Sequence, residues 1–117
     1  MKHRVDGRKL GRKTEARIAL LRTLSKQLVI HGEVETTLPK AKELKRFADK
    51  LVTHAKSKEL HDIRLVEKHV GDRELVKKLT DEIAPRFAEV NGGYTTVLKT
   101  GFRKGDGAPT AIVRWSK

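Results

Sequence analysis

Apolar residues recur along most of this chain at the three- and four-residue spacing of a helix buried on one side, and the pattern breaks in only a few short places. Thr14 suits an N-cap and Glu15 the positive end of a helix. Ile18, Leu21, Leu24 or Ser25, and Leu28 then keep helical spacing, and Leu20 and Val29 widen the stripe. Gly32, just after His31, can supply a left-handed C-terminal residue. The spacing predicts a helix over 15–31 with Arg17, Arg22 and Lys26 outside its apolar stripe. Residues 33–37 alternate and are rich in β-branched side chains, which predicts a short strand. Pro39 fits the first turn of a second helix, with Thr37 or Leu38 near its cap. There Ala41, Leu44, Ala48, Leu51, Val52 and Ala55 hold one face apolar, while Lys42, Lys45 and Lys56 fall on one flank with Arg46 beyond them. Asp49 interrupts that flank.

Leu60, Ile63, Val66 and Val70 predict a third helix, ended by Gly71. Asp72 can cap a fourth with Leu75, Val76, Leu79 and Ile83 inward, and Pro85 is expected to stop it. Asn91-Gly92-Gly93 is a turn signal. Residues 94–100 and 110–115 read as strands, and the segment between them as a long hairpin loop with Arg103 and Lys104 at its tip. The strand at 33–37 has only this pair to join. The expectation is an α+β fold: about four helices packed with a small three-stranded mixed sheet, forming one globular domain over 14–117.

Residues 1–13 do not fit that scheme. They hold six basic residues, two glycines, one acid and little that is apolar, too little to offset the entropy of ordering. They are expected to form an extended basic arm that orders on a partner.

Charge sharpens the picture. Of 117 residues, 27 are Lys or Arg and 15 Asp or Glu, a net +12. A small domain with that self-repulsion has a polyanion as its natural partner. The charge is segregated: residues 1–57 carry net +9, 58–91 net −1 and 92–117 net +4. One side is expected to lie on nucleic acid, and the near-neutral helices of 58–91 to lie away from it. Aromatics are few (Phe47, Phe87, Phe102, Tyr94, Trp115), too few for a sheet that reads single strands with a row of exposed rings.

The absence of cysteine excludes disulfides and Cys-ligated zinc. No uncharged run approaches a membrane span, and the charged start does not read as a secretory signal. None of the five histidines, His3, His31, His54, His61 and His69, forms the i,i+4 pair of a zinc-binding helix, and a solvent or phosphate contact suits them better than metal. No serine sits in a Gly-x-Ser-x-Gly turn. Gly105-Asp106-Gly107 lacks the Gly-Lys-Ser/Thr of a phosphate-binding loop and fits turn chemistry. Nucleophile, base and orienting group nowhere coincide. No enzyme, cofactor, metal or small-molecule substrate is expected.

Three blocks in order carry a resemblance over nearly the whole chain: MKHRVDGRKLGR at the start, TTLPKAKELKRFADKLVTHAK at 36–56, and GGYTTVLKTGFRKGDGAPTA at 92–111. Together they resemble the bacterial large-subunit ribosomal proteins of family seventeen. The resemblance implies a small α+β domain with a basic arm. It implies a structural role on large-subunit ribosomal RNA near the outer opening of the nascent-chain tunnel, beside neighbouring ribosomal proteins. It also implies one copy per particle, in the cytoplasmic ribosome of a bacterium rather than an organelle. Carried onto this sequence, the RNA-binding residues are Lys2, His3, Arg4, Arg8, Lys9, Arg12 and Lys13 of the arm. The helix block adds Lys40, Lys42, Lys45 and Arg46, and the hairpin block Lys99, Arg103 and Lys104. Relatives commonly carry a Ser/His-type stretch where this chain has Thr14-Glu15-Ala16-Arg17, and Arg17 can still reach a phosphate. The rival readings are a free nucleic-acid-binding factor, which predicts duplex DNA binding, and a ribosome-associated adaptor using the near-neutral helices.

Overall fold

A computed structural model describes residues 14–117. The expected arm at 1–13 and the cap expected from the Thr14 side chain lie outside the described residues. Helix α1 (Thr14–His31) leads through Gly32 into strand β1 (Glu33–Thr37), which runs straight into α2 (Leu38–Ser57). Two shorter helices follow, α3 (Leu60–Val70) and α4 (Arg73–Lys78). The chain closes with the hairpin of β2 (Thr95–Phe102) and β3 (Pro109–Trp115). The class and the element order agree with the sequence reading.

Helix α2 organises the core. Ala41, Leu44, Ala48, Leu51, Val52 and Ala55 are all buried, as the helical spacing predicts. On one side α2 meets all three strands, and on another it meets α3. The residues it buries include small alanines, which allow close approach of neighbouring elements. From α1 only Ser25, Leu28 and Val29 are closed off; Ile18, Leu20 and Leu21, expected inward, are half-buried. In α3, Val66 and Val70 are buried, but Leu60, also expected inward, is 66% exposed. It is the first residue of its helix and sits at the turn from α2, ahead of the packed face.

The sheet is antiparallel throughout, in the order β1-β3-β2, and not mixed as expected. The last strand in sequence is central. It pairs with β2 as a hairpin and with β1 on its other edge, so the two outer strands run the same way without touching. Ala111, Val113 and Trp115 of β3 are buried while Thr110 and Ile112 are half-buried and Arg114 is exposed, the period-two alternation of a sheet covered on one face. The Trp115 indole N–H donates to the Leu28 carbonyl at 3.3 Å, tying β3 to the end of α1. The rings of Phe87 and Tyr94 meet edge-on at 5.3 Å, with Trp115 6.4 Å from Phe87.

Pro85 does not stop the fourth helical stretch outright. After α4 the backbone widens into a π-helical turn (Leu79–Ile83), where the Ala84 N–H donates to the Leu79 carbonyl, and then tightens into a 3-10 turn (Ala84–Phe87). Proline has no N–H and its ring collides with the carbonyl four residues back. Widening the preceding turn is one way to keep the chain helical past it. Asp72 caps α4 as expected, accepting from the N–H groups of Glu74 at 2.9 Å and Leu75 at 3.4 Å.

The hairpin differs from expectation in length. The strands reach Phe102 and restart at Pro109, leaving only residues 103–108 as loop. Extra pairing is possible because β2 carries a bulge: Lys99 opposes Ala111 and Gly101 opposes Thr110, so Thr100 is additional. Gly101 has φ +135°, a backbone state that favours glycine. Proline is tolerated as the first residue of a strand.

Candidate nucleic-acid interface

Because β1 passes directly into α2, the N-terminal end of α2 lies at the end of the sheet where the hairpin turns. The register fixes this: Thr37 and Gly101 both oppose Thr110. Two stretches of sequence far apart, one beginning at Leu38 and one at Lys99, therefore meet. Between them is a cavity of about 300 Å³ lined by Leu38, Lys99, Gly101, Phe102, Pro109 and Thr110.

Cations crowd this end. Lys40 and Lys42 lie in the first turns of α2, Lys99 lines the cavity, and Lys104 sits on the exposed loop. None of these four has a hydrogen-bond or ion-pair partner among the described residues. The first turn of α2 contains no acidic residue, and Thr37 makes no side-chain capping bond. The positive end of the helix dipole is thus not offset by a carboxylate in that turn.

Three of the expected RNA-binding residues, Lys45, Arg103 and Arg46, are engaged within the protein. The Lys45 ammonium donates to the Thr95 carbonyl at 2.7 Å and to Asp49 at 3.2 Å, and Thr95 donates its hydroxyl to Asp49 at 2.9 Å. This network fastens α2 to the start of β2, away from the hairpin turn. Asp49 interrupts the basic flank because it belongs to that fastening. Arg103 is the second. Its guanidinium donates twice to Asp106, once at 3.1 Å, and the Ala108 N–H donates to the same carboxylate at 3.1 Å. The hydrogen bond to Asp106 raises the Arg103 pKa, and the return contact holds Asp106 at about 2. The guanidinium remains half exposed, at 53%, and keeps its charge. Arg46 is exposed and pairs with Glu43 at 3.7 Å. Arg17 is half-buried on α1 and is no part of the cavity lining. The residues expected at 2–13 lie outside the described residues.

The sequence reading passed over Phe102. It is 78% exposed, while Phe87, Tyr94 and Trp115 are buried and Phe47 is half-buried. The available signal was its place between Gly101 and Arg103 in a basic hairpin, but a lone aromatic there cannot be told from a strand residue that packs inward.

The side occupied by α3 and α4 handles charge differently. Asp62 accepts from His54 at 2.9 Å and from the Ser57 hydroxyl. The Ser57 bond first, then that from His54, holds its carboxyl below the usual range. Arg73 pairs with Glu67 at 3.3 Å. His69 packs its ring edge-on against Phe47 at 5.5 Å. Burial, with the Arg22 charge next, lowers its pKa. Two of the histidines expected to meet solvent or phosphate thus serve internal contacts. Among the described residues no group of three or more His, Asp or Glu could hold a metal, and no helix is long and apolar enough to cross a membrane.

Comparison with known proteins adds an independent finding. A profile for the ribosomal protein L17 family matches residues 20–116. The chain is 99% identical to the large ribosomal subunit protein bL17 of Coprothermobacter proteolyticus over 117 residues, all of both chains. It is 52% identical to the bL17 protein of Thermodesulfovibrio yellowstonii over 115 residues, 98% of this chain and 86% of that one. It is also 52% identical to the bL17 protein of Thermus thermophilus over 114 residues, 97% of each.

Proposed function

The chain belongs to the ribosomal protein L17 family, and on that premise we propose that it fastens folded large-subunit ribosomal RNA between a basic arm and the hairpin end of its body. It is a structural constituent of the bacterial large ribosomal subunit and not an enzyme. The body, residues 14–117, acts as one domain. It presents Lys40, Lys42, Lys99, Arg103 and Lys104, with Arg46 and Arg17 as outlying contacts. The arm, with Lys2, His3, Arg4, Arg8, Lys9, Arg12 and Lys13, threads into an RNA groove and orders there. Lys45 holds the fold rather than the RNA. The protein works as a single copy among neighbouring ribosomal proteins in the cytoplasm, near the outer opening of the nascent-chain tunnel.

The observation that carries this reading is the convergence of Lys40, Lys42, Lys99 and Lys104 at one end of the sheet, without partners among the described residues. Phosphate contacts supply affinity by releasing counterions. RNA shape and 2′-hydroxyls supply selectivity, and Arg can grip phosphate oxygens in pairs. Deleting residues 1–13 tests the arm. If it neutralises about five phosphates, the log–log slope of affinity against salt flattens by roughly 3–5 units. An unchanged slope removes the arm from the mechanism. Sedimentation in high salt tests the whole: the protein is expected to stay with the large subunit. Preference for duplex DNA over structured ribosomal RNA would replace this reading with a free DNA-binding factor.

A further inference from the structure

We propose that the cavity at the base of the hairpin receives an unpaired nucleobase of the bound RNA, stacked on Phe102. This deepens the RNA-binding reading above and rests on it.

The bulge in β2 builds the site. Cross-strand partners share a face of a sheet, and residues two apart on one strand do too. Lys99 opposes Ala111 and Phe102 opposes Pro109; Ala111 and Pro109 are two apart on β3. Lys99 and Phe102 therefore lie on one face although they are three apart in sequence. In a regular strand Phe102 would fall on the opposite face, with Leu98. The extra residue brings it to the side where Leu38 stands, and the φ of +135° at Gly101 belongs to that irregularity. No heavy atom lies within 4 Å of where a Cβ on Gly101 would sit, so the glycine answers a backbone demand and not a crowded neighbour.

A ring 78% exposed beside a cavity of about 300 Å³ is an apolar surface awaiting an occupant. The charges around it say which. Lys99 lines the cavity, Arg103 follows Phe102 directly, and Lys104 comes next. Across the cavity, Leu38 opens α2, with Lys40 and Lys42 close behind it and no carboxylate in that first turn. The one acid of residues 92–117, Asp106, is already held by Arg103. An apolar side chain from a protein would leave these cations unanswered. A nucleobase offers a flat π-face to Phe102 and carries its own phosphates to the lysines.

The test uses the full chain and large-subunit ribosomal RNA transcribed from Coprothermobacter proteolyticus, with Phe102→Ala, Phe102→Leu and Phe102→Tyr variants. Phe102 is exposed, so thermal unfolding of all three should match the parent. Stacking predicts that Phe102→Ala weakens binding about 5- to 150-fold. Phe102→Leu should lose nearly as much, because it keeps apolar bulk without a π-face, and Phe102→Tyr should bind like the parent. The salt slope should not change in any of them, whereas Lys104→Ala should flatten it by about 1. If Phe102→Ala binds as the parent does, the nucleobase site is wrong and the general RNA reading survives. If Phe102→Leu rescues as well as Phe102→Tyr, the cavity takes apolar bulk and not a base. Normal RNA affinity of Phe102→Ala with failure to enter particles would assign the cavity to a protein neighbour. A parent chain that ignores this RNA overturns both readings.

Discussion

The two sides of α2 hold basic residues in comparable numbers, yet they use them differently. On the side of α3 and α4, lysines and arginines alternate with acids, and several charges are absorbed by the fold: Asp62 by Ser57 and His54, Glu67 by Arg73, Lys78 by the Ile30 carbonyl at 3.2 Å. At the hairpin end Lys42, Lys99 and Lys104 have no such partner among the described residues, and an apolar ring stands exposed beside them. Counting charges would not separate a soluble surface from a binding one. What separates them is placement: on the α3 and α4 side acids lie among the cations, whereas at the hairpin end the lysines stand beside an exposed ring in a segment, 92–117, with one acid, an arrangement suited to a polyanion.

The largest effect should come from the core that joins the two sides. Phe87 ends the 3-10 turn on the near-neutral stretch and touches the rings of Tyr94, just before β2, and Trp115, at the end of β3. Phe87→Ala is expected to destabilise the chain by about 3–5 kcal/mol. Urea unfolding followed by Trp115 fluorescence and by helical circular dichroism should shift together. Separate midpoints would mean that the two sides are independent units, and the contrast between them would lose its common frame.

Next comes a direct exchange of charges. Replacing Lys42, Lys99 and Lys104 together by Ala should flatten the salt slope of RNA binding by roughly 2–3 units, near 0.7–0.9 for each phosphate released. Removing Arg64, Lys68 and Lys77, exposed cations of α3 and α4, should leave the slope nearly intact. Equal losses from the two triples would show that total charge, and not its placement, governs binding.

Much of this contrast was legible in the sequence, because helical periodicity and segment charge are local properties. The inward face of α2 was readable residue by residue, as were the Asp72 cap and the segregation of charge. What stayed hidden depends on contacts between distant positions. Lys45 looks like its basic neighbours until the Thr95 carbonyl, fifty residues on, is seen to accept its hydrogen bond. Arg103 looks free until the turn brings Asp106 round to it. The antiparallel sheet could not be read from strand spacing, since nothing local says that the last strand lies in the middle. Phe102 was missed because the segment from Gly101 read as loop; the strand in fact continues to Phe102 through a one-residue bulge that sets the face on which the ring lies, and bulges leave only a faint trace in sequence. The turn around Pro85 was misjudged for a related reason: a π-helical widening can carry a helical path past a proline.

A smaller effect probes the end of α2 that leads toward α3. Lys58 follows that helix with φ +58°, a left-handed position where glycine is the usual residue. Lys58→Gly should stabilise the protein by about 0.5–1 kcal/mol, since it relieves the Cβ crowding of that conformation at some cost in unfolded-chain entropy. Thermal unfolding reads this gain. RNA affinity should not follow, because Lys58 lies at the far end of α2 from Leu38. A parallel fall in affinity would extend the binding surface along the whole helix.

The finest distinction between the two sides is in their carboxylates. Asp106 at the hairpin tip is held at about 2, below its ordinary 3.8, by the hydrogen bond from Arg103 and then by that from the Ala108 N–H. Asp62 between α2 and α3 is also lowered, by Ser57 first and His54 second. A carboxyl whose folded pKa is depressed stabilises the fold fully above its unfolded value, and that contribution disappears as pH falls through the folded one. Both contacts should therefore be complete at pH 5 and above, and the hairpin contact should loosen only on approaching pH 2. Carboxyl NMR titration of the folded chain should show the Asp106 midpoint near 2. Arg103→Lys keeps the charge but not the paired donors, and should move the Asp106 midpoint upward while leaving that of Asp62 in place. If both midpoints move, the two sides are electrostatically coupled across α2, and the hairpin's charges cannot be treated as set by the hairpin alone.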